Sequence, residues 1–166
     1  MSQENVALVR AIYDAFAAGD IAGVLGRMSP DIVWNEAENF PYADGNPYRG
    51  PEAVLNGVFA RIGAEWDGFE VVVEELLGAI SSRAEAPGDS GIAASRTPGG
   101  DTVVALGRYR GTCKATGRAI DAQLAHVWRV EGGKAAAFQQ YADTLQVARR
   151  PAPPDPSSGP RPASSS

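Results

Sequence analysis

The 166-residue chain has 20 acidic and 15 basic residues, a net charge of −5, with 44% hydrophobic and 21% charged residues. Such a composition belongs to a globular domain able to bury a core, and the acidic balance argues against nucleic acid, whose binding rests on Lys and Arg neutralising phosphates. One cysteine, Cys113, and one histidine, His126, allow no intrachain disulfide and no usual zinc ligand set; a carboxylate-only magnesium or calcium site is open to the composition but has no motif behind it, so no metal is assigned.

The opening MSQENVALVR is polar and then amphipathic, without the basic and apolar regions of a secretory signal. No apolar run reaches the ~18 residues of a membrane span. The expectation is a cytoplasmic protein of one domain, with no membrane partner.

Val9, Ile12, Tyr13 and Phe16 fall at spacings 0, 3, 4 and 7, which predicts a helix over residues 5–19. Gly19 suits its C′ position, and Asp20 the N-cap of a second, short helix carrying Ile21, Val24, Leu25 and Met28. Ser29-Pro30 stops that helix. DIVWNE (31–36) reads as a strand with Ile32, Trp34 and Glu36 on one face. A loop rich in aromatics follows, with Phe40, Tyr42 and Tyr48. Pro51 then opens a third helix, striped by Val54, Leu55, Val58, Phe59 and Ile62. FEVVVEELLGAI (69–80) alternates as a strand. Residues 81–100 are rich in Ser, Gly, Ala and Pro and predict a mobile loop. Three strands come next: TVVALGRYRGT, RAIDAQLAHVWRV and KAAAFQQYADT. The turn-like KATG and EGGK between them make neighbours antiparallel. A short helical end, TLQVARR, precedes a Pro/Ser-rich tail over 149–166 that predicts disorder.

This order predicts the α+β class: a cone-shaped, curved, antiparallel (mixed) sheet with three helices from the N-terminal half on its concave face, enclosing an apolar pocket within residues 1–148.

Several motifs, in this order and spacing, carry a resemblance. They are YDAFAAGD (13–20), SPDIVW (29–34), YRGPEAV (48–54), HVW with EGGK (126–134) and QYADT (140–144). Together, over residues 5–148, they resemble the nuclear-transport-factor-2-like superfamily, in its SnoaL-like (polyketide cyclase-like) and ketosteroid isomerase-like branch. The resemblance implies the cone fold, a homodimer formed through the convex sheet face, a small apolar molecule as ligand, and no cofactor. For ketosteroid isomerases it puts Glu36 at the base. It puts Ala125 where a protonated Asp belongs and Ile12 where a Tyr belongs, with Tyr13 one residue off on another helical face. The oxyanion hole an enolate needs is then missing, so a steroid-type isomerase is not expected. For SnoaL-like cyclases it implies an acid on the last strand with a His nearby, here Asp143 and His126. Counted from the EGGK turn, the acid corresponds instead to Gln140, which cannot exchange a proton.

The catalytic candidates are therefore Glu36, His126 and Asp143. The pocket candidates are Trp34, Phe40, Tyr42, Phe59, Tyr109, Phe138, Gln140 and Tyr141. Strand parity sets Phe138 and Gln140 on one face of the last strand and Tyr141 and Asp143 on the other. Family alignment favours the first face inside; the chemistry favours the second. Asp143 equally suits the N-cap of the terminal helix. His126 shares an apolar face with Leu124 and Trp128, as a core histidine would, while its ordinary pKa suits proton transfer. Glu36 is either a solvated strand-end acid or a carboxyl desolvated by Trp34 and Phe40, with a raised pKa. An epoxide-hydrolase-like site would need Arg108 or Arg110 with Asp121 in the cavity. Two functions follow: an acid–base cyclase or isomerase of an apolar carbonyl compound, or a non-catalytic small-molecule binder.

Overall fold

The computed structural model describes residues 2–80 and 101–148. The expected mobile loop (81–100) and disordered tail (149–166) lie outside the described residues, which end with the short helix α5 (Thr144–Ala148). Helix α1 (Ser2–Ala17) starts with Glu4 in its first turn, where the helix dipole favours a negative charge. Gly19, at φ +72°, ends it. A helix of this kind draws most of its stability from packing rather than from propensity. Its apolar stripe fixes it: Val9 and Ile12 are buried against the sheet, each burial contributing about 1.5–3 kcal/mol. Asp20 caps α2 (Ile21–Leu25), its Oδ1 accepting from the Gly23 N–H at 2.9 Å.

Six strands form one sheet in the order β2-β1-β6-β5-β4-β3. They are β1 (Met28–Asn35), β2 (Tyr48–Arg49), β3 (Trp66–Ile80), β4 (Asp101–Cys113), β5 (Ala119–Glu131) and β6 (Lys134–Ala142). β1 and β6 run parallel; all other pairs are antiparallel. Register shifts at Glu74 in β3, and at Ala136 in β6 opposite Arg129 and Val130, mark bulges, which bend strands and help curl the sheet. α1 packs on β3 and β4, while α4 (Ala60–Glu65) meets β3 and α3 (Pro51–Val54) meets β1 and β2. The core fills the concave side.

Three details depart from the sequence reading. Met28 does not extend the second helix; it opens β1 and pairs with Ala135. Tyr48–Arg49 adds a short edge strand on β1. The third helix is interrupted: between α3 and α4 lies one π-helical turn, Leu55–Phe59. A π turn holds an extra residue and re-aims the side chains it carries, and Val58 and Phe59 from this turn both reach the cavity.

Candidate active site

Alternation along β1 sends Ile32 and Trp34 inward, and Glu36 just past the strand keeps the same parity. The backbone of Glu36 is clamped by a loop side chain. Its N–H donates to Asn46 Oδ1 at 2.9 Å, and Asn46 Nδ2 donates back to its carbonyl at 2.8 Å. The Glu36 residue is 3% exposed. Oε1 accepts from the Trp34 indole N–H at 2.6 Å, while Oε2 has no hydrogen-bond partner. Taking a carboxylate out of water disfavours its charge. Burial pushes the Glu36 pKa up to about 7, against the opposing pull of the Trp34 N–H and the Gln140 amide.

His126, on β5, lies between two phenols. The Tyr13 hydroxyl is 2.7 Å from Nδ1 and the Tyr109 hydroxyl 2.5 Å from Nε2. Trp128 Nε1–H donates to the Tyr13 oxygen at 2.9 Å, and Gln140 Nε2 donates to the Tyr109 oxygen at 2.6 Å. Gln140 Oε1 accepts the Ala37 backbone N–H at 2.9 Å, which joins this network to the residue after Glu36. Burial drives the His126 pKa down to about 3, so the ring is neutral near pH 7. Burial also raises both tyrosines above the ordinary phenol range, and the charge of Glu36 adds to the rise at Tyr109.

The rest of the lining is apolar, around a narrow cavity of about 50 Å³. Trp34 stacks on Phe138 with centroids 3.7 Å apart, and Phe59 meets Trp34 edge-on at 5.6 Å. Glu36, His126, Trp34, Phe40, Phe59, Tyr109, Phe138 and Gln140 all line this one cavity. Three expected residues do not. Asp143 and Tyr141 have the opposite strand parity and lie on the convex side. Tyr141 is 58% exposed there, and exposed Asp143 accepts from Gln146 Nε2 at 2.9 Å. Tyr42 is buried beside the cavity rather than in its wall. Its hydroxyl donates to Glu65 Oε2 at 2.7 Å and accepts from Trp66 Nε1 at 3.0 Å, tying the loop to α4 and β3. Arg108 and Arg110 pair with Asp121 on the convex face, outside the cavity, so the epoxide-hydrolase arrangement is not built. Among the described residues no group of three or more His, Cys, Asp or Glu is placed to hold a metal ion.

The sequence reading missed Tyr13. An alignment offset of one residue set it on the wrong helical face and left the site without a phenol donor; the structure puts its hydroxyl on His126. The signal was present, since Tyr13 belongs to the Val9-Ile12-Tyr13-Phe16 stripe, and Ile12, Tyr13 and Phe16 all line the cavity. Ala125, the expected counterpart of a family Asp, pairs with Tyr141 on the convex side.

Among curated proteins nothing matches this chain. Solved structures do. An NTF2-like protein from Burkholderia thailandensis is 34% identical, with a TM-score of 0.69 over 88% of this chain and 97% of that one. TerC, co-crystallised with polyporic acid, is 23% identical with a TM-score of 0.65, covering 86% and 93%. A Mycobacterium tuberculosis protein in complex with estradiol-17beta-hemisuccinate is 18% identical with a TM-score of 0.60, covering 86% and 96%. The latter two likenesses show the fold alone. The SnoaL-like domain matches residues 9–138. With that span matched and the cone-shaped sheet in place, the chain belongs to the SnoaL-like domain family and has the NTF2-like, ketosteroid isomerase-like fold.

Proposed function

We propose that the cavity, at about 50 Å³ too narrow to enclose such a molecule as it stands, widens to take a small, largely apolar carbonyl compound and that Glu36 moves a proton on it without a cofactor. One observation carries this reading: a buried carboxyl with an open oxygen, and a pKa of about 7, faces an apolar cavity. A base of that pKa is half-ionised near neutrality, where general acid–base catalysis works best. The ionised carboxylate takes a proton from the carbon next to the carbonyl. The C–H pair becomes the enolate double bond, and the carbonyl π pair moves onto oxygen. In a β,γ-unsaturated compound the enolate is conjugated with the C=C, and returning the proton to the γ-carbon re-forms the carbonyl and moves the double bond to the α,β position. Attack of the enolate carbon on a second carbonyl closes a ring, and Glu36 protonates the new alkoxide. Two neighbours of this fold, crystallised with polyporic acid and estradiol-17beta-hemisuccinate, lend the ligand class support. The fuller reading has two copies of the chain paired through the convex sheet face.

Deuterium exchange next to the carbonyl of 1-indanone, followed by NMR, tests the proton step without the natural substrate. Glu36→Gln should slow protein-catalysed exchange by about 10²–10⁴-fold while leaving thermal stabilisation by the ketone in place. Equal exchange by both proteins removes the acid–base reading. A non-catalytic binder would then remain, the alternative favoured by Gln140: this residue, 2% exposed, holds the inward position on β6 and cannot exchange a proton.

A further inference from the structure

Hydrogens can be counted along the chain of bonds through His126. Its two ends are fixed as donors. Trp128 Nε1 can only donate, and it donates to the Tyr13 oxygen. At the other end Gln140 cannot be flipped, because its Oε1 must meet the Ala37 N–H; its amide nitrogen therefore faces the Tyr109 oxygen. Both phenol oxygens thus accept from outside and turn toward the same imidazole, at 2.7 and 2.5 Å. A neutral imidazole has one N–H and one bare nitrogen, so it accepts from one hydroxyl and donates to the other. With the proton on Nε2, Tyr13 donates to Nδ1 and the Tyr109 hydrogen is left over. With the proton on Nδ1, Tyr109 donates to Nε2 and the Tyr13 hydrogen is left over. Either way one hydroxyl hydrogen has no place in the network. Both tyrosines and the histidine line the cavity, so that is where the spare hydrogen is available.

We infer that His126 is a positioning residue whose tautomer selects Tyr109 or Tyr13 as the one hydroxyl donor this network offers to a ligand oxygen, in the same cavity that Glu36 lines. This rests on the proposed function and deepens it. The ligand class becomes compounds with a carbonyl or enolate oxygen for the tyrosine and an acidic C–H or O–H for Glu36. The donor is already in place before binding and needs no charged group, which suits a water-poor cavity.

A matched pair of probes, 1-indanone and indane, isolates the carbonyl oxygen. His126 is the only histidine, so its ring-nitrogen NMR signals are unambiguous. Three results are expected. The ring is neutral at pH 7 in the free protein. The ketone binds about tenfold or more tighter than the hydrocarbon, the worth of one well-made hydrogen bond. The ketone, and not indane, shifts the ring to a single tautomer: Nε2–H when Tyr109 donates, Nδ1–H when Tyr13 does. Tyr→Phe at the hydroxyl so identified removes the ketone preference, and Tyr→Phe at the other retains it. A cationic ring, equal affinity for the two probes, or a tautomer unmoved by the ketone overturns the spare donor and leaves Glu36 chemistry standing. Failure of both probes to bind sinks this inference together with the ligand class proposed above.

Discussion

Unfolding returns Glu36 from a pKa of about 7 to an ordinary 4.5, and His126 from about 3 to an ordinary 6.5. The signs of the two effects differ. Glu36 is raised in the fold, so its contribution is fully present below pH 4.5 and is lost as pH climbs through 7. His126 is lowered in the fold, so its contribution is present above pH 6.5 and is lost as pH falls toward 3. Each slope is about 1.4 kcal/mol per pH unit inside its window. Between pH 4.5 and 6.5 the windows overlap and the slopes cancel. Glu36→Gln should remove one slope and expose the other: relative to wild type, the variant loses roughly 2–3 kcal/mol of stability between pH 6.5 and 4.5. Urea denaturation at several pH values reads this directly. Parallel stability curves for the two proteins would show that Glu36 titrates normally in the fold.

The aromatic loop and the interrupted helix interlock at Gly57. A Cβ there would lie 2.1 Å from Tyr48 Cε1. The Tyr48 ring has little freedom to yield, because its hydroxyl donates to the Tyr42 carbonyl at 2.5 Å. Gly57→Ala, although a better helix former by propensity, should therefore destabilise the fold by about 1–3 kcal/mol, the usual cost of overpacking. An unchanged denaturation midpoint would mean that the ring moves freely. Period-2 alternation grouped Glu36 with Ile32 and Trp34 on one face of β1 and set His126 on the apolar face of β5, but left open whether Glu36 was buried or solvated. On β6 it separated Gln140 from Asp143 without saying which face was inside. Burial decides that, and burial depends on partners far away in the chain. The π turn and the short strand Tyr48–Arg49 were invisible because no local pattern encodes them; both depend on how the loop packs back on the fold.

At the scale of the whole molecule, the sheet leaves an apolar band on its convex side. Register aligns Val127, Val104 and Leu77 across β5, β4 and β3, and next to them Tyr141, Ala125 and Leu106. Leu77 is 45% exposed. A band of this kind on an otherwise charged surface suits a protein partner, and the proposed homodimer would cover it. Light scattering at micromolar concentration should give twice the chain mass for wild type. Val104→Glu, a charge in the centre of the band, should give a folded monomer. A monomeric wild type would remove the dimer from the proposal. The cone architecture was readable because element order and spacing determine it. The donor network was not, since it joins α1, β4, β5 and β6 through side chains up to 115 residues apart.

Asn46 has one more consequence. It holds the amide and the carbonyl of Glu36 at once, and it belongs to the same loop that places Phe40 in the cavity wall. The position of the Glu36 backbone is therefore tied to the same segment that supplies part of the cavity wall. If Glu36 acts as proposed above, any displacement of that segment would shift the carboxyl and the wall together, so the geometry of the acid and the shape of the space it faces would change as one.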